Sequence, residues 1–157
     1  MMNEHEDLMF SAIDIYMSAL KHIEELISQP TSQYGVSFEQ WLILNEVVNS
    51  QEATTMTRIA LERNVTKGAV ARQLKPLLEQ QYLKQEVDKD DRRRVILVVT
   101  DSGRAVNRKI LSAVNERFSR WVNIFGRNES QQLLDLLSKF DHLIVQPQLK
   151  NKTDSIE

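Results

Sequence analysis

The chain has 157 residues, 27% of them charged, with a formal net charge of -2 and no cysteine. That length holds one domain of ordinary size whose core needs no metal or disulfide, and the missing thiols exclude disulfides, thiolate metal sites and cysteine-based redox sensing. Three scattered histidines (His5, His22 and His142) make no zinc-type cluster, and no stretch approaches the roughly 20 apolar residues that span a bilayer.

The opening residues Met1-Met2-Asn3-Glu4-His5-Glu6-Asp7 are acidic. A secretory signal needs a basic start and an apolar run, so the expected location is cytoplasmic. From 7 to 28, Met9, Ile13, Tyr16, Leu20, Ile23 and Ile27 recur at helical steps, and Leu8, Ala12, Ile15, Ala19 and Leu26 widen the stripe. So wide an apolar face is expected at a subunit interface. Pro30 and Gly35 are expected to end this helix. Ser37-x-x-Gln40 is a capping-box pattern that opens a second helix, with Trp41, Leu42, Leu44, Val47 and Val48 on its core face. Asn49 to Gln51 and the Thr54-Thr55 pair read as loop.

A third helix is expected from about Thr57 to Arg63, with Ile59, Ala60 and Leu61 inward. Asn64 suits the left-handed turn after it, Val65 is expected to anchor that turn in the core, and Thr66 to cap a fourth helix. Val70, Leu74 and Leu77 make the inner stripe of the fourth helix, which leaves Lys67, Gly68, Ala69, Arg72 and Gln73 outside. Small residues beside an Arg and a Gln suit close approach to base edges. Pro76 cannot donate to the carbonyl of Arg72, which predicts a kink near 72–76 but not an end, because Leu77 and Leu78 continue the pattern.

Two short strands, Tyr82–Val87 and Val95–Val99, flank the charged run Asp88-Lys89-Asp90-Asp91-Arg92-Arg93-Arg94. Thr100 is expected to cap a long helix running to Phe125, striped by Val106, Ile110, Val114, Phe118 and Trp121. Gly126 stops it. Asn128-x-x-Gln131 is a second capping signal before a last helix striped by Leu133, Leu136, Leu137, Phe140, Leu143 and Ile144, which Pro147 is expected to end. The tail from Gln148 is polar and expected to fray.

The charge is unevenly spread. Residues 56–94 hold ten basic and six acidic side chains, a net of about +4, and the remainder of the chain is near -6. A basic module on an acidic body suits local phosphate binding. An inserted Arg is drawn to the enhanced negative potential of a narrow minor groove. Arg93 is the candidate for that insertion, Arg92 and Arg94 for phosphates, and Arg58 for reaching the DNA backbone. Asp91 is expected to pair with an Arg of its own domain and stiffen the tip. Catalysis finds no support: there is no nucleophile with a base, no paired carboxylates in an apolar setting, no phosphate-cradling glycine loop and no metal cluster, so no cofactor is expected.

Asp91-Arg92-Arg93, an apolar strand and Val99-Thr100-Asp101-Ser102-Gly103, in register with a capped helix-turn-helix upstream, resemble the MarR family of winged-helix transcriptional regulators. That family carries an Asp-x-Arg pattern in the wing, then a strand and Leu-Thr-x-x-Gly; here Val replaces Leu. The family often has Gly just before the first wing strand, where this chain has Gln80-Gln81, and Pro76 within the recognition helix is also not typical. The fold class expected is mainly α with a two- or three-stranded antiparallel β-wing: a winged helix-turn-helix at 37–100, flanked by dimerisation helices at 7–28 and 101–147, in a single domain of 1–157. The expected function is a homodimeric regulator, most often a repressor, that reads double-stranded DNA through Arg58, Thr66, Lys67, Gly68, Ala69, Arg72, Gln73, Arg92, Arg93 and Arg94. Its two recognition helices are expected about one turn of DNA apart, roughly 34 Å, on a pseudo-palindromic operator. The resemblance further implies a small aromatic or anionic effector near Tyr16, Met17, His22 and Trp41. The alternative is a winged-helix module that binds protein; such a module would lose the basic residues that this chain keeps.

Overall fold

A computed structural model describes residues 4–149. It divides the chain into two compact units, Met1–Val114 and Asn115–Glu157.

The first unit begins with α1 (Glu4–Ile15), a π-helical turn (Tyr16–Leu20) and α2 (Lys21–Ser32) in unbroken succession. Pro30 does not end this helix as expected. It lies inside α2, two residues short of the last helical position, so its missing N–H falls in the final turn, and the chain leaves through Gly35 at φ 72°. The helix α3 (Phe38–Asn49) starts with the expected capping box: Ser37 Oγ accepts from the Gln40 N–H at 3.2 Å, and Gln40 Oε1 accepts from the Ser37 N–H at 2.8 Å.

The next helix, α4 (Met56–Glu62), begins one residue earlier than expected, because Thr55 is its N-cap and not loop. Ile59 and Ala60 are buried, while Leu61 turns to solvent, about 100° further round this short helix. Asn64 takes φ 51°, the left-handed turn that its short polar side chain tolerates. Val65 holds the turn through its backbone, donating to the Ala60 carbonyl at 3.0 Å, and its side chain is exposed rather than in the core. Thr66 caps α5 (Lys67–Glu79) as expected, accepting from the Ala69 N–H at 3.1 Å. The helix continues through Pro76.

Strands β1 (Leu83–Val87) and β2 (Val95–Val99) pair antiparallel, from Leu83 opposite Val99 to Val87 opposite Val95. Thr54, read from sequence as loop, adds a single bridge to Leu97, with the Leu97 N–H donating to the Thr54 carbonyl at 2.8 Å. The wing therefore has two strands and one residue of a third. The core lies beneath: Trp41, Ile43 and Leu44 of α3, Ile59 of α4, Val70, Leu74 and Leu77 of α5, Leu83 and Leu97 of the wing, and Ile110 of α6 (Asp101–Phe125) are all buried.

The start of α6 is locked to the wing. Thr100 Oγ1 accepts from the Gly103 N–H at 3.0 Å and donates to the Gln81 carbonyl at 2.6 Å, and Ser102 Oγ donates to the same carbonyl at 3.0 Å. A Cβ on Gly103 would stand 2.0 Å from the Tyr82 carbonyl oxygen, so only glycine fits. The Thr-x-x-Gly pattern is thus a joint between helix and wing.

The second unit holds the end of α6, α7 (Arg127–Phe140) and a π-helical turn, Asp141–Val145. Asn128 does not cap α7. The chain reverses at Gly126, φ 103°, and Asn128 is already helical; the Gly126 carbonyl instead accepts from Ser130 N–H at 3.0 Å and Ser130 Oγ at 2.6 Å. Pro147 does not end the last helix, which continues over 146–149. The preceding turn is widened, with the Gln146 N–H reaching back five residues to the Asp141 carbonyl, so the bonding shifts just before the proline. Most of the tail expected to fray lies outside the described residues. No described residue from 115 to 149 is buried, and neither is any from His5 to Gln29.

Candidate nucleic-acid interface

Two elements present the basic residues. On α5 the inward stripe of Val70, Leu74 and Leu77 leaves Lys67, Gly68 and Arg72 exposed, with Ala69 and Gln73 half-buried. On the wing, Asp91 to Arg94 are all exposed.

The wing tip is shaped by two of its three aspartates, Asp88 and Asp91. Asp88 Oδ1 accepts from the Asp90 N–H at 3.0 Å, and Asp91 Oδ1 accepts from the Arg93 N–H at 3.0 Å. The turn is closed by the Asp88 N–H on the Arg94 carbonyl and the Arg94 N–H on the Asp91 carbonyl, both at 2.9 Å. Such side-chain-to-backbone bonds stand in for a tight turn and hold its shape. Asp91 therefore meets the backbone of Arg93, where pairing with a guanidinium was expected. The carboxylate that pairs is Asp88, nearly buried, with Arg94 Nε at 3.5 Å. The reason is reach: Arg93 lies two positions after Asp91, a spacing that fits an Asx-type turn and leaves the guanidinium outside.

Ion pairing sorts the ten basic residues of 56–94. Arg58 is held by Glu62 at 2.7 Å and Glu52 at 3.1 Å, Arg63 by Glu46 at 2.9 Å, Lys75 by Glu79 at 3.8 Å, Lys84 by Glu86 at 2.6 Å, and Arg94 by Asp88. The hydrogen bond from Arg58 holds the Glu62 carboxyl below its ordinary value and raises the Arg58 guanidinium in return. Lys67, Arg72, Lys89, Arg92 and Arg93 have no ion pair among the described residues.

Lys67, at the start of α5, and Arg93 and Arg94, on the wing, line one open cleft of about 620 Å³ with Thr55, Thr57 and Gln85. The sequence pointed to the three cations but not to the two threonines and the glutamine, which alternate or cap without any charge signal. Gln73 is placed apart from this cleft. Its Nε2 donates to Glu39 at 3.1 Å, and it lines a second groove of about 610 Å³ with Leu20, Ile23, Ile27 and Phe38. Of the residues expected near an effector, Tyr16, Met17 and His22 are exposed and outside that groove, and Trp41 is buried, its Nε1 donating to Asn107 Oδ1 at 2.8 Å.

Residues 34–94 match the MarR family. An uncharacterised HTH-type transcriptional regulator of Staphylococcus aureus strain Mu50 is 32% identical over 93 residues, a match that covers 59% of this chain and about 60% of the length of that relative. Two solved structures share the fold. Staphylococcus aureus MarR in complex with salicylate and kanamycin has a TM-score of 0.70 at 19% identity, over 91% of this chain and 96% of that one. A mutant of Staphylococcus aureus MepR bound to an oligodeoxyribonucleotide has a TM-score of 0.57 at 23% identity, over 83% and 94%. The likeness to the MarR family is thus carried by residues 34–94, the segment from Tyr34 through the wing tip.

Proposed function

We propose that this chain is a transcriptional regulator that binds double-stranded DNA as a homodimer and acts as a repressor on a pseudo-palindromic operator. The observation that carries the reading is the selective absence of ion pairs. Half of the local cations are neutralised by carboxylates, while Lys67 and Arg93 line one cleft unpaired and Arg72 and Arg92 are exposed and unpaired among the described residues. In this reading α5 enters the major groove, Arg93 enters the minor groove, and Arg92 and Lys67 take phosphates. Arg94 supports the wing through Asp88, and Arg58 is occupied by Glu62 and Glu52. Gln73 faces Glu39 and drops out of the base-reading set.

The dimer is supported by surface that a single chain leaves bare. Leu8, Phe10, Ile13 and Met17 of the first helical run, and Phe118, Leu136, Leu137 and Phe140 of the second unit, are exposed. Within each unit, large apolar side chains left exposed on this scale mark an association site. A small-molecule effector is best placed in the groove along Leu20, Ile23, Ile27 and Phe38. Glu39 is the one charged side chain among the described residues that line it, which favours a neutral or cationic ligand over an anion.

Titration of a labelled duplex over a series of salt concentrations tests the interface. Lys67→Ala is expected to weaken binding to all sequences about equally and lower the salt slope by about one, and Arg93→Ala to weaken the preferred sequence by about tenfold or more. Unchanged affinity for both variants would contradict the assignment.

A further inference from the structure

Asn107 sits on the buried face of α6, four residues after Gly103 and three before Ile110, among apolar side chains. It is 3% exposed, as is Trp41. Its Oδ1 accepts from Trp41 Nε1 at 2.8 Å, and its Nδ2 donates to Asn45 Oδ1 at 3.1 Å; that oxygen also accepts from Asn49 Nδ2 at 3.1 Å. The direction of the chain is dictated by chemistry. An indole N–H can only donate, so the Asn107 oxygen must face Trp41 and its amide nitrogen must face α3. A leucine at 107 would satisfy the core as an apolar residue and tolerate several rotations of α6 about its axis. A doubly bonded asparagine tolerates one, because any other strands a buried donor and a buried acceptor.

We infer that Asn107 is a specificity-determining positioning residue: through Trp41 and Asn45 it fixes the rotation of α6 in the winged unit, and thereby the half-site spacing that the dimer accepts. This rests on the dimeric DNA-binding reading above. The helix α6 is continuous from this joint to Phe118 and Phe125, which lie on the exposed apolar surface assigned to association. A rotation of α6 would thus alter where the second recognition helix meets DNA. Buried polar pairs elsewhere serve register in the same way, at a cost in stability.

The test uses full-length protein and the inverted repeat obtained by selection from random duplexes, synthesised with its central spacer unchanged, one base pair shorter and one longer. One base pair turns the half-sites by about a tenth of a turn. The parent is expected to bind the native spacing best. Asn107→Leu is expected to keep the dimer and to reduce the native-to-altered affinity ratio by about tenfold, the scale of one buried hydrogen bond. Should Asn107→Leu fail to fold, Asn45→Ala, at a half-buried site, removes the Nδ2 bond and should reduce the ratio in the same direction. Equal weakening at every spacing, in the variant that folds, overturns the inference, since that is all a stabilising role would produce. A parent that selects an inverted repeat but accepts all spacings alike overturns it too. A parent that enriches no duplex fails the DNA-binding reading itself, a result distinct from both.

Discussion

Two glycines and one glutamine separate backbone needs from binding needs. A Cβ at Gly68 would meet nothing nearer than Thr66 Oγ1 at 3.9 Å, so the fold does not require glycine there. Gly68→Ala is therefore expected to stabilise the chain by roughly 0.5–1 kcal/mol, the helical cost of glycine, while weakening DNA binding if the backbone of α5 approaches its ligand closely. Thermal unfolding and a DNA titration of the same variant check both halves; gain in both would remove the reason given for the glycine. Gly103 is the opposite case: Gly103→Ala drives a methyl into the Tyr82 carbonyl and should cost about 1–3 kcal/mol or more in denaturant unfolding. Gln81 stands at φ 56°, where glycine would be unstrained, so Gln81→Gly should stabilise by about 1 kcal/mol. The residues that serve the local backbone were legible in the sequence, because Ser37, Asn64, Thr66 and Thr100 act on neighbours a few positions away. Asn107 and Gln73 were not. Their partners, Trp41 and Glu39, lie 66 and 34 residues distant, and no local pattern encodes that separation.

The recognition helix and the wing are set by different means. Pro76 was expected to kink α5 without ending it, and the helix does run past it to Glu79. The buried pair Leu74 and Leu77 brackets the proline, and core packing outweighs one missing backbone bond. The wing was legible as strand, charged turn, strand, because its apolar runs alternate with turn chemistry. Which of its arginines is structural was not, since a run of three is degenerate in sequence and only the fold puts Asp88 beside Arg94. The same holds for Arg58, whose two carboxylate partners flank it from different segments. Glu62→Gln is expected to release Arg58 for phosphate contact, tightening non-specific binding and steepening the salt slope by as much as one. A slope identical to that of the parent would mean Glu52 alone keeps Arg58 occupied.

For the molecule as a whole, the width of the apolar stripes in the flanking helices was the informative signal. Apart from Val106, Ile110 and Val114, which pack against the core of the first unit, most of those stripes stay exposed in one chain, and the second unit buries no described side chain. Such a unit has no core of its own to stabilise it, which a second copy would supply. Leu137→Glu, at a half-exposed position of α7, should shift the species seen by light scattering toward monomer and weaken operator binding together. The positions of the turns between those helices were less legible, since Pro30 and Pro147 read as stops and are carried within helix. DNA recognition by paired winged units is the central claim, and selection of bound duplexes from a random pool tests it most directly. The expected result is enrichment of an inverted repeat whose half-sites lie about one helical turn apart, lost when Arg93 is replaced by Ala; recovery of no enriched sequence by the parent protein would contradict it.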